Sequence, residues 1–232
     1  MKTRTLATAL YAAMAACASV AFAGPYEQVA YQPQPRPEIY IFGYGGVNFL
    51  DNLEANNAAG FALEVSGEDG FALGGGIGLR FPQFFGGSRL EVEGFYRGND
   101  SDGIRPSNAP FGGNGDVTMD GVMLNFIKEF AWNGVVPYLG LGIGFGQTEL
   151  DLTFNDFLGV GTVHGDETTF NWQAIAGMEF PFWQRVSVFA EYHYMPAGDF
   201  MMTEVLTGGG SRQLDFTGSA THSIVGGVRI YF

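Results

Sequence analysis

Three things are scarce in this chain, and each scarcity removes a class of protein. The only cysteine is Cys17, near the N-terminus. Beyond it there is no disulfide framework and no thiol nucleophile. After residue 23 no apolar run reaches the ~18 residues that a membrane helix needs. Charged residues make up only 15% of the chain, and acids outnumber bases by 24 to 11. So acidic a chain has no phosphate-binding surface for nucleic acid.

What is abundant is glycine (36), phenylalanine (22) and diffuse hydrophobicity at 46% of the 232 residues. Glycine, aromatics and short alternating segments suit an all-β domain. Residues 1–23 read as a cleavable secretory leader. Lys2 and Arg4 are its positive region, Leu6 to Val20 its apolar region, and Ala21-Phe22-Ala23 a small-x-small cleavage site. Met14 to Cys17 faintly resembles a lipoprotein processing site, but the apolar run continues to the better site beyond. Loss of Lys2 and Arg4 moves the formal net charge from −13 to −15. Residues 24–37 hold Pro25, Pro33, Pro35 and Pro37 and read as an extended segment ahead of a domain at 38–232.

That domain contains eight segments with a period of two, the signature of strands between two environments. They cover Glu38–Asn48, Phe71–Phe81, Arg89–Gly98, Val117–Lys128, Pro137–Thr148, Thr169–Phe180, Val186–Met195 and Ala220–Phe232. The clearest is the fifth, where Leu139, Leu141, Ile143 and Phe145 alternate with Gly140, Gly142, Gly144 and Gly146. The faces of the first are not separable by pattern. In the fourth the apolar parity slips at Gly121, which suggests a bulge. Stretches 49–70, 99–116, 149–168 and 196–219 read as long connections, and the three between them as short turns. Strands of ten to twelve residues exceed most soluble ones and match a tilted span of a bilayer.

Three features place the apolar face outside, against lipid, rather than inside a soluble barrel. The polar face of the fifth segment is four glycines, which suit a crowded interior. Charges of both signs share the polar registers: Arg80, Arg89, Arg97 and Arg229 with Glu91, Glu93, Glu179 and Glu191. Enclosed together they can pair. Aromatics on the apolar register gather near segment ends, as two membrane interfaces favour. The expected architecture is an eight-stranded antiparallel up-and-down transmembrane β-barrel.

Pro137-Tyr138 before the alternating glycines, Glu191-Tyr192-His193-Tyr194, and the closing Gly227-Val228-Arg229-Ile230-Tyr231-Phe232 resemble the small eight-stranded outer-membrane barrels. That group includes the OmpA barrel domain, the opacity-type surface proteins and the "porin family" barrels. The resemblance implies a Gram-negative outer-membrane location with both termini periplasmic, and a surface-exposed structural role. It also implies partners: membrane lipid, lipopolysaccharide and the barrel assembly machinery. Gly227, Ile230, Tyr231 and Phe232 would form the C-terminal assembly signal. The chain reads as a monomer without cofactor or metal.

The alternative function is a narrow channel for ions or small solutes, lined by Arg80, Arg89, Glu91, Glu93, Arg97, Glu179, Glu191, His193 and Arg229. Against it, eight strands leave an interior filled by side chains, so the set reads as a static plug. A lipid A-modifying enzyme is a third reading. His193-Tyr194-Met195 lacks a hydroxyl two residues on, and His222 and Ser223 must point to opposite faces of a strand. The chain therefore reads as non-enzymatic. Acidic runs (Asp51, Glu54, Glu64, Glu68 and Asp69; Glu149, Asp151, Asp156, Asp166 and Glu167) read as solvated outer loops. Asn99 to Gly103 resembles only part of a calcium loop.

Overall fold

The computed structural model describes residues 37–56, 62–67, 69–106, 112–130, 132–156, 159–196, 200–206, 210–217 and 220–232. The leader and nearly all of the Pro-rich segment lie outside the described residues. Twelve antiparallel strands are described: β1 (Glu38–Leu50), β2 (Leu53–Asn56), β3 (Ala62–Ser66), β4 (Asp69–Phe81), β5 (Ser88–Pro106), β6 (Gly113–Glu129), β7 (Val136–Asp156), β8 (Gly159–Trp183), β9 (Val186–Pro196), β10 (Phe200–Leu206), β11 (Gly210–Thr217) and β12 (Ala220–Tyr231).

Eight of them close a cylinder in the order β1, β4, β5, β6, β7, β8, β9, β12 and back to β1. Closure pairs the two ends of the domain, from Tyr40 opposite Tyr231 to Leu50 opposite Thr221. The Phe232 amide donates to the Ile39 carbonyl at 2.9 Å. Among the described residues the eight strands leave no edge of the cylinder bare to lipid, which could not satisfy one. The short turns lie between β4 and β5, β6 and β7, and β8 and β9, at the same end as both termini of the cylinder. Glycine provides the left-handed backbone where two of these turns need it, at Gly86 and Gly87 and at Gly134.

The stretches read as long connections are mostly strand, which corrects that expectation. Above the cylinder β5 to β8 continue upward, and the hairpins β2–β3 and β10–β11 complete the wall. The upper order is β5, β3, β2, β11, β10, β8, β7, β6 and back to β5, again eight strands. The β2–β11 seam is short, running from Asn56 opposite Asp215 to Glu54 opposite Thr217.

The bulge expected at Gly121 is absent. Pairing runs unbroken through Phe95 opposite Gly121 and Gly121 opposite Gly146. The register shift of β5 against β6 falls instead between Ser101 and Ile104. What changes at Gly121 is the environment. Below it the apolar residues of β6 (Val122, Leu124 and Phe126) face outward. Above it they face inward (Met119 and Val117), while Asp120 and Asp116 are exposed. β7 makes the same exchange without changing parity. Leu139 to Phe145 are exposed outside glycines, then Gln147, Glu149, Asp151 and Thr153 are exposed outside Thr148, Leu150 and Leu152.

The first strand's register is also settled. Tyr40, Phe42 and Tyr44 point inward, and Ile39, Ile41 and Val47 outward. The aromatic rings lie across glycines of neighbouring strands. A Cβ at Gly78 would collide with Tyr40 Cζ, and one at Gly74 with Tyr44 Cζ. Gly177 makes the same room for Tyr138, and Gly227 for Phe189.

Candidate functional site: the filled lumen

The candidate site is the cylinder's interior, stacked in layers from the short turns upward. All nine polar residues expected there are buried. In the lowest layer Arg80 Nε and Nη2 donate to Glu129 Oε2 at 3.0 and 2.9 Å. Arg89 Nη1 donates to Glu179 and lies 3.4 Å from Glu129 Oε1. Arg229 Nη2 donates to Glu191 Oε1 at 2.6 Å and lies 3.5 Å from Glu91 Oε1, and its Nη1 donates to Glu179 Oε2 at 3.3 Å. Hydroxyls complete the carboxylates. Ser187 and Tyr231 donate to Glu179 at 2.6 Å, Tyr40 to Glu91 at 2.5 Å and Tyr138 to Glu191 at 2.6 Å. The guanidinium of Arg229 stacks on Phe189 at 3.8 Å, and that of Arg89 on Tyr138 at 4.4 Å.

The middle layer centres on Glu93. It accepts from Tyr44, from Asn125 at 2.6 Å and from Gln173 at 2.7 Å. His193 lies between carboxylates, with Nε2 2.8 Å from Glu191 and Nδ1 4.0 Å from Glu93. Higher still, Arg97 donates to Thr221 Oγ1 at 2.6 Å and lies over the Phe95 ring. Asn48 donates to Asn99 and accepts from Ser223, each at 2.6 Å. Phe95, Met119, Met123 and Met195 form an apolar cluster at these same levels, with Met123 opposite Glu93 and Met119 opposite Arg97. Beyond it Ile104, Leu150, Leu152, Val163 and Leu214 are fully buried in the upper wall's interior.

Sequence reasoning missed several members of this network. Glu129 is one step past the fourth segment's assigned end, although its parity with Asn125 points inward. Tyr138 shares the glycine register of β7 and was legible in principle. Tyr40 and Tyr44 were hidden by the ambiguous first strand. Asn125 and Gln173 stood on polar registers but carry no charge to draw notice.

The remaining candidates separate cleanly. His222 faces outward, bonded to the Tyr192 hydroxyl at 2.5 Å and 3.3 Å from Asp51 Oδ2. Ser223 faces inward. Asn99 points into the lumen, and Asp100 is exposed opposite Asp116, so the calcium-like run is split across two faces. Among the described residues no three His, Cys, Asp or Glu side chains gather as a metal site. Asp51, Glu54, Glu64 and Asp69 are exposed, as are Glu149, Asp151, Asp166 and Glu167. Glu68 and the Asp156 side chain fall outside what is described. Of the C-terminal residues, Gly227 lies beneath the Phe189 ring and Tyr231 turns inward. Ile230 and Phe232 are exposed on the outer face.

The outer face carries two aromatic bands. Phe71 stacks on Tyr96, Phe145 meets Phe170 edge-on, and Trp172 meets Tyr194, all toward the upper wall. At the other end Phe84, Phe85, Trp132, Phe182, Trp183 and Phe232 are exposed in or beside the turns. Between the bands the exterior is mostly aliphatic, with Phe126 among its exposed residues. A closed cylinder, oily outside and ionic within, defines a transmembrane β-barrel.

The chain belongs to the outer membrane protein beta-barrel domain family, which it matches over residues 8–225. The outer membrane is accordingly its location. No curated protein sequence matches it. Its fold is similar to that of the Neisserial surface protein NspA, with 17% identity over 84% of this chain and 97% of that one and a TM-score of 0.51. It is similar also to the outer membrane protease OmpT from Escherichia coli, with 6% identity over 89% and 100% and a TM-score of 0.54. A major outer membrane protein from Thermus thermophilus shares 10% identity over 85% and 100%, with a TM-score of 0.51. Identities this low speak to fold alone.

Proposed function

We propose that this barrel is a sealed structural element of the outer membrane that presents its upper wall at the cell surface. One observation carries the reading: the lumen is occupied layer upon layer by side chains that bond to each other. Arg89 and Arg229 are fully buried and cross the bore to carboxylates on β5, β6, β8 and β9. A conducting path would have to break these pairs in low dielectric, where each is strongly held. The apolar interior of the upper wall adds a second closure. In this reading the short turns and both ends of the cylinder face the periplasm. The barrel stands as a monomer in lipid and lipopolysaccharide, and the assembly machinery engages β12 during insertion. In this reading it has no catalytic role: His193 is bound within the lumen, and among the described residues the bonded partners of His222 are Tyr192 and Asp51. Single-channel recording on refolded protein in planar bilayers tests this. A silent membrane is expected, and steady, reproducible openings would establish the channel instead.

A further inference from the structure

The exterior between β6 and β9 is not uniformly rough. Ala174 and Ala176 on β8 are small residues on the lipid-facing register, and they form the floor of a groove of about 480 Å³. Phe126, Leu139 and Leu141 wall one side, and Tyr192 the other. The cross-strand row Lys128, Leu139, Ala176, Tyr192 runs through the groove. Because barrel strands are tilted, that row climbs from the short-turn end on β6 toward mid-wall on β9. Lys128 lines the groove at its low end. Its Nζ donates to the carbonyls of Gly87 at 3.0 Å and Glu129 at 2.8 Å, and it lies over the Phe130 ring. An ammonium has three donors, and two of them are taken among the described residues. Lys128 makes no ion pair with a carboxylate among the described residues, on a protein whose net charge is −13.

We propose that this groove is a binding site for a glycerophospholipid of the leaflet at the short-turn end. One acyl chain lies over Ala174 and Ala176, and the phosphate takes the third donor and the charge of Lys128. The site rests on the lipid-outside reading above. Charge complementarity selects the occupant: hydrocarbon fits the groove, and only an anion at its end answers an unpaired ammonium at interface depth.

The test is native mass spectrometry of the full refolded chain in detergent, titrated with dioleoyl phosphatidylglycerol, with heat-modifiable gel mobility as the check on barrel closure. One lipid is expected to be retained by the unaltered protein. Lys128→Gln should weaken retention about fivefold, the worth of one cation near an anionic headgroup. Ala176→Phe fills the groove, keeps Lys128 and adds only apolar bulk to an apolar face, and should weaken it similarly. Glu149→Gln, on the upper wall, should leave it unchanged. Retention that survives Ala176→Phe would overturn the site, as would equal binding by Lys128→Gln. A closed barrel that retains no lipid would also overturn it and leave the barrel reading intact. Protein that never becomes heat-modifiable would overturn both.

Discussion

The lower and upper halves of this cylinder share the strands β5 to β8, and the polarity of their two faces is opposite in the two halves. On β7 the outward residues are Leu139, Leu141, Ile143 and Phe145 below, and Gln147, Glu149, Asp151 and Thr153 above. The inward residues change from glycine to leucine over the same step. The pairing of β7 with both neighbours runs through this step without a register shift. A sheet is indifferent to which face is wet, so side-chain chemistry alone records where the solvent changes from hydrocarbon to water. Below, the interior must supply the polar contacts that lipid cannot. Above, an ordinary hydrophobic core is favoured, because water surrounds the wall.

Several substitutions would break or sharpen that contrast. The largest effect is expected in the lower lumen. Arg229→Ala removes the guanidinium bonded to Glu191 and one of the two bonded to Glu179, leaving buried negative charge under-compensated, and should cost about 3–5 kcal/mol, read as a lowered urea midpoint of vesicle-embedded protein. In the upper core Leu152→Ala leaves a cavity worth about 2–5 kcal/mol. Its loss should be local, so protease should cut the upper wall sooner while gel mobility of the closed barrel is unchanged. On the outer face Leu141→Arg should cost about 2–4 kcal/mol if it lies at bilayer depth. Glu149→Arg, eight residues along on the same face, should stay within about 0.5 kcal/mol. A further effect, smaller than those of the buried arginine and leucine, concerns the rings laid over glycine. Gly78→Ala puts a methyl against Tyr40 and should cost about 1–3 kcal/mol, a loss that Tyr40→Phe should not relieve, because the clash is with the ring at Cζ as well as with the hydroxyl.

The lower cylinder was legible because lipid enforces a strict period of two over ten or more residues, as in Phe71 to Phe81. Its charged interior was legible from Arg and Glu sharing one register. Who pairs with whom was not. Arg89 meets Glu179 across 90 positions, and that depends on strand stagger, which no local pattern states. The upper wall was missed because its alternation shows polar residues outward and only a few apolar ones inward, so it resembles loop. Its hairpins β2–β3 and β10–β11 are also short, and they pair with strands distant in the chain, β2 with β11 and β10 with β8. At Gly121 the exchange of solvents imitates a bulge, since both put apolar residues out of step.

The most direct measurement is spin-label accessibility along β7, with cysteine introduced in turn at Leu141 and Glu149 in protein reconstituted in vesicles. Collision with oxygen should dominate at Leu141, and collision with a water-soluble nickel complex at Glu149, with the crossover near Gln147. Labels at both positions reporting water would contradict the claim that the change of polarity marks the edge of the membrane.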